Sequence, residues 1–404
     1  MAKIAPKIAI VAGEASGDLL GSHLIRALNA QRSDLTFIGI AGPKMQRESA
    51  KSLFPIEKLS VRGYVEVLKH LYGLLKLRKS LLKQLLAEKP DIFIGIDAPD
   101  FNFWLERKLK NHGITTIHYV SPSIWAWRGG RMGKIKRAVS HVLALFPFEP
   151  ALYESAGVPV TYVGHPLADE LPLKPNITEA RELLKIEKNK LVIAMLPGSR
   201  QSEVKQHADL LIKTALIISK EYKNAQFAGV KFASVKCLVP LITRETRQLF
   251  ETALYNNISH YQANLNNDNE PIETLDLDIL FGHAHDAMEA ADIVIVASGT
   301  ATLEAALLKK PMVIIYKMPS ISWQILKRMR YQPYVGLPNI LAGKFLVPEL
   351  LQHDATPQKL ADAVARLLSD EAYLKEIKQE FTAIHHNLRQ DSAKKAADVV
   401  LSYL

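Results

Sequence analysis

One alternation constrains this chain more than any other feature: short, β-branched apolar runs are each followed by a stretch of helical periodicity. Residues 7–12, 36–40, 91–96, 115–120, 141–146 and 161–163 form such runs, and 191–196, 292–296 and 311–316 repeat the style. Near-continuous apolar strands joined by helices are what a parallel sheet covered on both faces requires. Between the two series the stretch 164–190 is looser and holds Pro166, Pro172 and Pro175. The expectation is an α/β chain of two doubly wound, Rossmann-like domains facing across a cleft, 1–170 and 171–375. Helices at 376–404 are expected to pack back on the first domain. The 404 residues, 48% of them hydrophobic, suffice for two cores. The Asn-rich stretch 256–273 reads as a surface loop.

Several chemistries drop out early. A single cysteine, Cys237, cannot build a disulfide framework, a thiol redox pair or a cysteine-rich metal site. There is no GxxxxGK[ST] loop, no HExxH and no clustered Asp/His set, so neither a metal nor a cofactor is expected. Met1 runs almost directly into the apolar residues 8–12, which reads as a chain without an export signal. No stretch reaches the roughly 18 uncharged apolar residues of a spanning helix, so a membrane is expected to be touched only from its surface. A net charge of +10 points to an anionic partner.

Ligand chemistry concentrates at strand ends. Residues 13–18 read Gly-Glu-Ala-Ser-Gly-Asp between a strand and an apolar-periodic helix. This is either a helix N-terminus open to negative charge or a plain tight turn. Asp97 and Asp100 follow the run 91–96, which reads as a central strand, and ligands of open α/β sheets collect at that end. Asp97 is the candidate general base, since group transfer to a hydroxyl needs a group that takes its proton. The competing reading is that one aspartate caps the next helix, Asp100 the better placed of the two. Residues 125–137 carry five basic side chains and no acid beside Trp125 and Trp127, an anion-facing loop suited to base stacking or to an acyl-phosphate headgroup. Gly164-His165-Pro166 holds a lone histidine, read as structural.

In the second half, Pro197-Gly198-Ser199-Arg200 leads into a helix, and Arg200 can meet a phosphate with its fork of donors. Residues 297–304 again join a strand to a helix. Ser298, Gly299, Thr300 and Thr302 can offer donors to a pyrophosphate and Glu304 an acceptor to ribose, or the hydroxyls serve as a helix cap. The stretch 64–86 is apolar at helical spacing inside a segment, 62–89, with seven Lys/Arg and two Glu. It is either a core helix with a solvated basic face or a bilayer-touching surface, with Val65 and Leu77 apolar outside the main stripe.

VAGEASGDLLG, GIAGPKM, GYVEVL, GIDAPDFN, HYVSPSIWAWR, LPGSR, ASGTATLEAAL, LPNILAG and VPELLQ occur in this order. Together they resemble the lipid A disaccharide synthase family of Gram-negative bacteria over nearly the whole chain. The resemblance implies a GT-B fold with the acceptor lipid mainly on the first domain and the UDP-sugar mainly on the second. It implies an inverting, metal-independent transfer: UDP-2,3-diacylglucosamine and 2,3-diacylglucosamine 1-phosphate (lipid X) give a β-1,6-linked disaccharide 1-phosphate and UDP. The family's essential aspartate, arginine and asparagine fall on Asp97, Arg200 and Asn339, with Ser199 beside Arg200 at the donor. Acceptor candidates are then Glu14, Ser16, Asp100, Trp127 and Arg128; Val65, Val67, Leu68, Leu71, Leu74 and Leu75 become the membrane-facing set. A homodimer on the cytoplasmic face of the inner membrane is implied as well, without nucleic acid. Arg62, where an apolar residue is expected, and the length of 256–273 depart from the family pattern.

Two other classes compete. A UDP-sugar 2-epimerase of similar architecture would not need a basic amphipathic acceptor surface, and UDP release only in the presence of acceptor separates it from a transferase. A nucleic-acid-binding protein using 125–137 would show steep salt dependence but would leave two ligand-type loops idle.

Overall fold

The computed structural model describes residues 5–59, 64–122, 124, 129–222, 226–227, 230–265, 275–319, 323 and 333–404, with backbone alone at 64–71, 129, 226–227, 230–231 and 262–265. Trp127, Arg128 and Arg62 lie outside the described residues, as do the side chains of Val65, Val67, Leu68 and Leu71. The chain divides into two compact units, one running through Glu170 and completed by Asn387–Leu404, the other Leu171–His386.

The first unit is a seven-stranded parallel sheet. Its strands are β1 (Lys7–Ala12), β2 (Thr36–Ile40), β3 (Lys51–Ser52), β4 (Ile92–Ile96), β5 (Thr115–Tyr119), β6 (His141–Ala144) and β7 (Val160–Tyr162), in the order β3-β2-β1-β4-β5-β6-β7. β1 and β4 are buried along almost their whole length because helices cover both faces, which is why they read as unbroken apolar runs. Helix Tyr64–Glu88 turns Leu77, Leu81 and Leu85, four residues apart, into the unit. Leu77 is thus a core residue and not part of an exposed apolar face, whereas Tyr72 is 80% and Leu75 39% exposed and Leu74 is half-buried.

The last helix, Ser392–Leu401, returns to this unit and packs on helix Ala15–Gln31. Ala396, Ala397 and Val400 join the core there, and burying a valine contributes about 2 kcal/mol. Both oxygens of Asp169 fix the return, accepting from the backbone N–H of Asp391 and Ser392 and from the Ser392 hydroxyl. Tyr162 donates to the Asn387 carbonyl and the His165 N–H to that of Leu388, so Gly164-His165-Pro166 docks the chain terminus. The return begins at Asn387, inside helix Glu371–Leu388, later in sequence than 376.

The second unit holds a six-stranded parallel sheet. Its strands are β8 (Lys190–Leu196), β11 (Ser234–Leu241), β12 (Leu277–Phe281), β13 (Ile293–Ala297), β14 (Met312–Tyr316) and β15 (Glu349–Leu351), in the order β12-β11-β8-β13-β14-β15. A small hairpin, β9 (Gln226–Phe227) and β10 (Val230–Lys231), lies between β8 and β11 in sequence. β11, β12 and β15 were not foreseen: β11 carries Lys236 and Pro240, and the edge strand β12 is half-exposed along its length. The stretch from Asn256 to Leu265 is not a loop; it continues helix Arg244–Leu265. Asn257 explains the difference, since its amide bonds Ala253 O one turn back and Asp209 on the neighbouring helix.

Candidate active site

In the first unit the strand order reverses between β1 and β4, whose ends pair as Ala12 with Ile96. Their following residues therefore leave the sheet side by side, the position where open α/β sheets gather ligands. Gly13 and Ala98 come so close that a Cβ on Gly13 would lie 2.7 Å from that of Ala98. Glu14 and Asp97 share this crevice.

Asp97 and Ala98 both take left-handed backbone conformations, φ 49° and 43°, a cost of order 1–3 kcal/mol per residue. Two contacts hold this hook: the Asp97 N–H donates to Tyr119 O at 2.9 Å, and the Asn102 amide donates to Asp97 O at 2.8 Å. Burial raises the Asp97 carboxyl above the usual carboxylate range; His118 pulls it back down and the like charge of Glu14 pushes it further up.

Beneath the hook His118 Nδ1 lies 2.7 Å from Glu106 Oε1, with both side chains fully buried. The imidazole lies 4.5 Å from the Phe103 ring at a tilt of 36°, and among the described residues His118 Nε2, Glu106 Oε2 and Asn102 Oδ1 have no partner. Burial raises the Glu106 carboxyl. This pair escaped the sequence reading. Its signal is that Asn102 and Glu106, four apart, place two polar groups on the buried face of helix Pro99–Lys110.

Ser16 is exposed and 3.4 Å from Glu14 Oε1. Asp100 is not the N-cap: the helix starts from Ala98 without a side-chain cap bond, Asp100 stands in its first turn, and its 80% exposed carboxylate lies 3.0 Å from the Arg131 guanidinium. Asp18 is the motif's buried acid, and it accepts from the Lys44 and Met45 N–H groups.

In the second unit the ends of β8 and β13 pair as Leu196 with Val296, and the loops after them line one cavity of about 320 Å³. Ser199, Arg200, Ser298, Gly299, Thr300 and Glu304 all border it. Thr302 does not; it is buried and its hydroxyl donates to Gly299 O at 2.8 Å. Gly198 adopts φ +115°, and a Cβ there would come 2.5 Å from Glu203 Oε2. The Glu203 carboxylate accepts from the N–H of Ser199 and of Arg200, which shapes the loop and leaves the Arg200 side chain 69% exposed. Glu304 Oε2 lies 2.9 Å from His285 Nε2.

His207, also unforeseen, staples this loop. Its buried ring donates from Nδ1 to Pro197 O at 2.7 Å and accepts at Nε2 from the Lys317 N–H at 2.9 Å, joining the ends of β8 and β14. That pattern fixes a neutral ring, and burial lowers its pKa accordingly.

Asn339 is fully buried and its amide is saturated. Nδ2 donates to Val347 O and Glu349 Oε1, and Oδ1 accepts from the N–H of Leu346 and Val347. Glu349 in turn accepts from the N–H of Val335 and Gly336, and the Ser298 hydroxyl donates to Val335 O at 3.2 Å. Asn339 thus reaches the cavity through Glu349 and the Val335 turn and has no polar atom left for a ligand.

Among the described residues, no group of three or more His, Cys, Asp and Glu could hold a metal ion, and no helix is long and apolar enough to cross a membrane. A family model described as lipid-A-disaccharide synthetase matches residues 8–402. The chain belongs to the lipid-A-disaccharide synthetase family. It is 63% identical to the lipid-A-disaccharide synthase of Methylobacillus flagellatus over 99% of this chain and 100% of that one, and 55% identical to that of an Azoarcus species over 99% and 97%. Solved structures share the fold at lower identity. They include S. aureus MnaA with UDP (TM-score 0.60, 13% identity, covering 98% and 95%) and the glycotransferase of kitacinnamycin (0.62, 14%, 99% and 99%). The paired parallel sheets of this family member are a GT-B fold.

Proposed function

We propose that the protein joins two acylated glucosamine units, transferring the sugar of UDP-2,3-diacylglucosamine to the 6-hydroxyl of 2,3-diacylglucosamine 1-phosphate with release of UDP. The observation that carries this reading is a raised, partly buried carboxyl at the switch point of one sheet, in a chain whose relatives of 50% identity and more bear the synthase name. Membership of that family favours the transferase over the epimerase.

In this reading Asp97 accepts the proton of the acceptor hydroxyl as its oxygen attacks the anomeric carbon from the face opposite the leaving group. The bond from that carbon to the diphosphate oxygen breaks, inverting the centre, and the proton ends on Asp97. A buried carboxyl with a raised pKa is a stronger base than a solvated one, which suits it to this step at neutral pH. The leaving diphosphate gains negative charge. Arg200 and the N–H groups at the start of helix Thr300–Leu307 offer positive charge to it without a metal, and Glu304 offers an acceptor to ribose. Asn339, Glu349 and His207 keep the cradle in shape.

The exposed Tyr72 and Leu75 beside basic residues support attachment to the cytoplasmic surface of the inner membrane, and the family supports a homodimer. The test is UDP release by purified protein in detergent without added metal, with and without the acceptor lipid. Release that needs the acceptor and is lost in Asp97→Ala supports the transferase; equal release without acceptor removes it.

A further inference from the structure

A second cavity, of about 320 Å³, opens in the first unit beside the N-terminal turn of helix Pro99–Lys110, where Pro99 and Asp100 line it two and three residues after Asp97. Five cations border it: Arg78 from helix Tyr64–Glu88, Arg107 from Pro99–Lys110, Arg131 from the turn before helix Met132–Ala138, and Lys134 and Arg137 from that helix. The one carboxylate among its lining residues is Asp100, which Arg131 occupies at 3.0 Å. Three separate helices thus converge on one small volume with a surplus of positive charge.

Arg78 is the most constrained of the five. Its guanidinium carbon lies over the Trp104 ring, 4.4 Å from the centroid, a cation–π contact that restrains the group. Among the described residues, Nη1 makes a long contact, 3.4 Å, to Asp100 O, and Nε is buried without a partner. Burial lowers its pKa, yet an arginine stays charged in any protein. A partly desolvated guanidinium that faces other cations costs stability unless an anion joins them. A plain solvated basic face would spread such charges outward; it would not place one of them over a tryptophan inside a cavity.

We infer that this cavity binds the phosphate monoester of the acceptor sugar, with Arg78, Arg107, Lys134 and Arg137 as its ligands and Trp104 as the platform for Arg78. The inference rests on the transferase reading above. A single sugar ring separates the attacking hydroxyl from the anomeric phosphate, so the phosphate site must open within a sugar's width of the base. Pro99 and Asp100, which line the cavity, are two and three residues from Asp97 along the chain, so their Cα atoms stay within roughly 11 Å of its own. Binding the phosphate there would orient the acceptor as well as select it, since charge-assisted, forked contacts are directional.

The test compares the acceptor lipid with the same lipid lacking its phosphate, in detergent micelles free of phospholipid, by UDP release from wild type, Arg78→Gln, Arg137→Gln and Arg78→Lys. Wild type is expected to prefer the phosphorylated acceptor in kcat/KM by at least about tenfold, the worth of one charge-assisted bond. Each glutamine variant should raise KM for the phosphorylated lipid, leave the donor KM in place and pull the preference towards one. Arg78→Lys, which keeps the charge but not the fork of donors, should fall between, and unchanged melting temperatures exclude misfolding. Equal losses with both acceptors would overturn the inference. So would an unchanged preference accompanied by weaker binding to phosphatidylglycerol vesicles, which would assign the cavity to a bilayer phosphate. If wild type releases no UDP, the transferase reading fails by itself; equilibrium binding of the two lipids to wild type and Arg78→Gln then decides the cavity, and equal affinities would refute it.

Discussion

At the scale of single residues the switch point of the first sheet is organised around a carboxyl kept in an unfavourable place. Asp97 sits in a left-handed hook, partly buried and beside Glu14, and each of these costs free energy. A carboxyl whose folded pKa exceeds its unfolded value favours folding while protonated, and that advantage is lost as pH rises through the folded pKa. At pH 7 an ionised Asp97 therefore weighs against the fold. Asp97→Asn is expected to raise the melting temperature at pH 7, with a smaller difference near pH 4, while abolishing UDP release. If Asp97 is the base it must be deprotonated, so the acidic limb of kcat against pH should lie above the ordinary carboxylate range. Glu14→Gln removes the charge that pushes it up and should move the limb to lower pH; a limb that stays in place would show that another group sets it.

Asp97 and Arg200 were legible in the sequence because strand ends and polar, glycine-rich turns announce themselves in short motifs. Asn339 was legible only through family resemblance, since a lone asparagine in LPN carries no local sign that its amide will be saturated by Val347, Leu346 and Glu349. The Glu106 and His118 pair was illegible for the same reason. Each residue looks ordinary in its own segment, and only the packing of helix Pro99–Lys110 on β5 makes them partners.

At the scale of elements, the cradle in the second unit depends on side chains that tie loops to strands. His207→Ala frees the Pro197 carbonyl and the Lys317 N–H together and removes a buried ring, which should cost about 3 kcal/mol by denaturant unfolding and raise the donor KM. Asn339→Ala leaves the N–H groups of Leu346 and Val347 and one oxygen of Glu349 short of partners, and a loss of similar size is expected. If Asn339 acts through the Val335 turn, its loss should weaken UDP binding and lower stability together; an inactive variant with wild-type stability and UDP affinity would show direct catalysis instead. Gly198→Ala should also weaken UDP binding, because φ +115° and the Glu203 carboxylate both exclude a Cβ. The central strands were readable because both their faces are buried. The edge strand β12 was not, since a strand covered on few sides need not be apolar, nor was β11, whose Lys236 and Pro240 break the apolar run.

At the scale of the whole molecule, the chain terminus belongs to the first unit, and sequence periodicity alone does not say where a helix will dock. Asp169→Ala removes three hydrogen bonds that hold the returning Asp391 and Ser392, so it should destabilise the protein by about 2–3 kcal/mol and expose Ser392–Leu401 to faster amide exchange. The division of labour between a carboxyl in one unit and a phosphate cradle in the other is the central claim, and product analysis tests it most directly. Purified protein, both lipids and detergent should yield UDP and β-1,6-linked disaccharide 1-phosphate in equal amounts by mass spectrometry and NMR, with neither formed by Asp97→Asn. UDP accumulating without disaccharide, or an α-linked product, would contradict it.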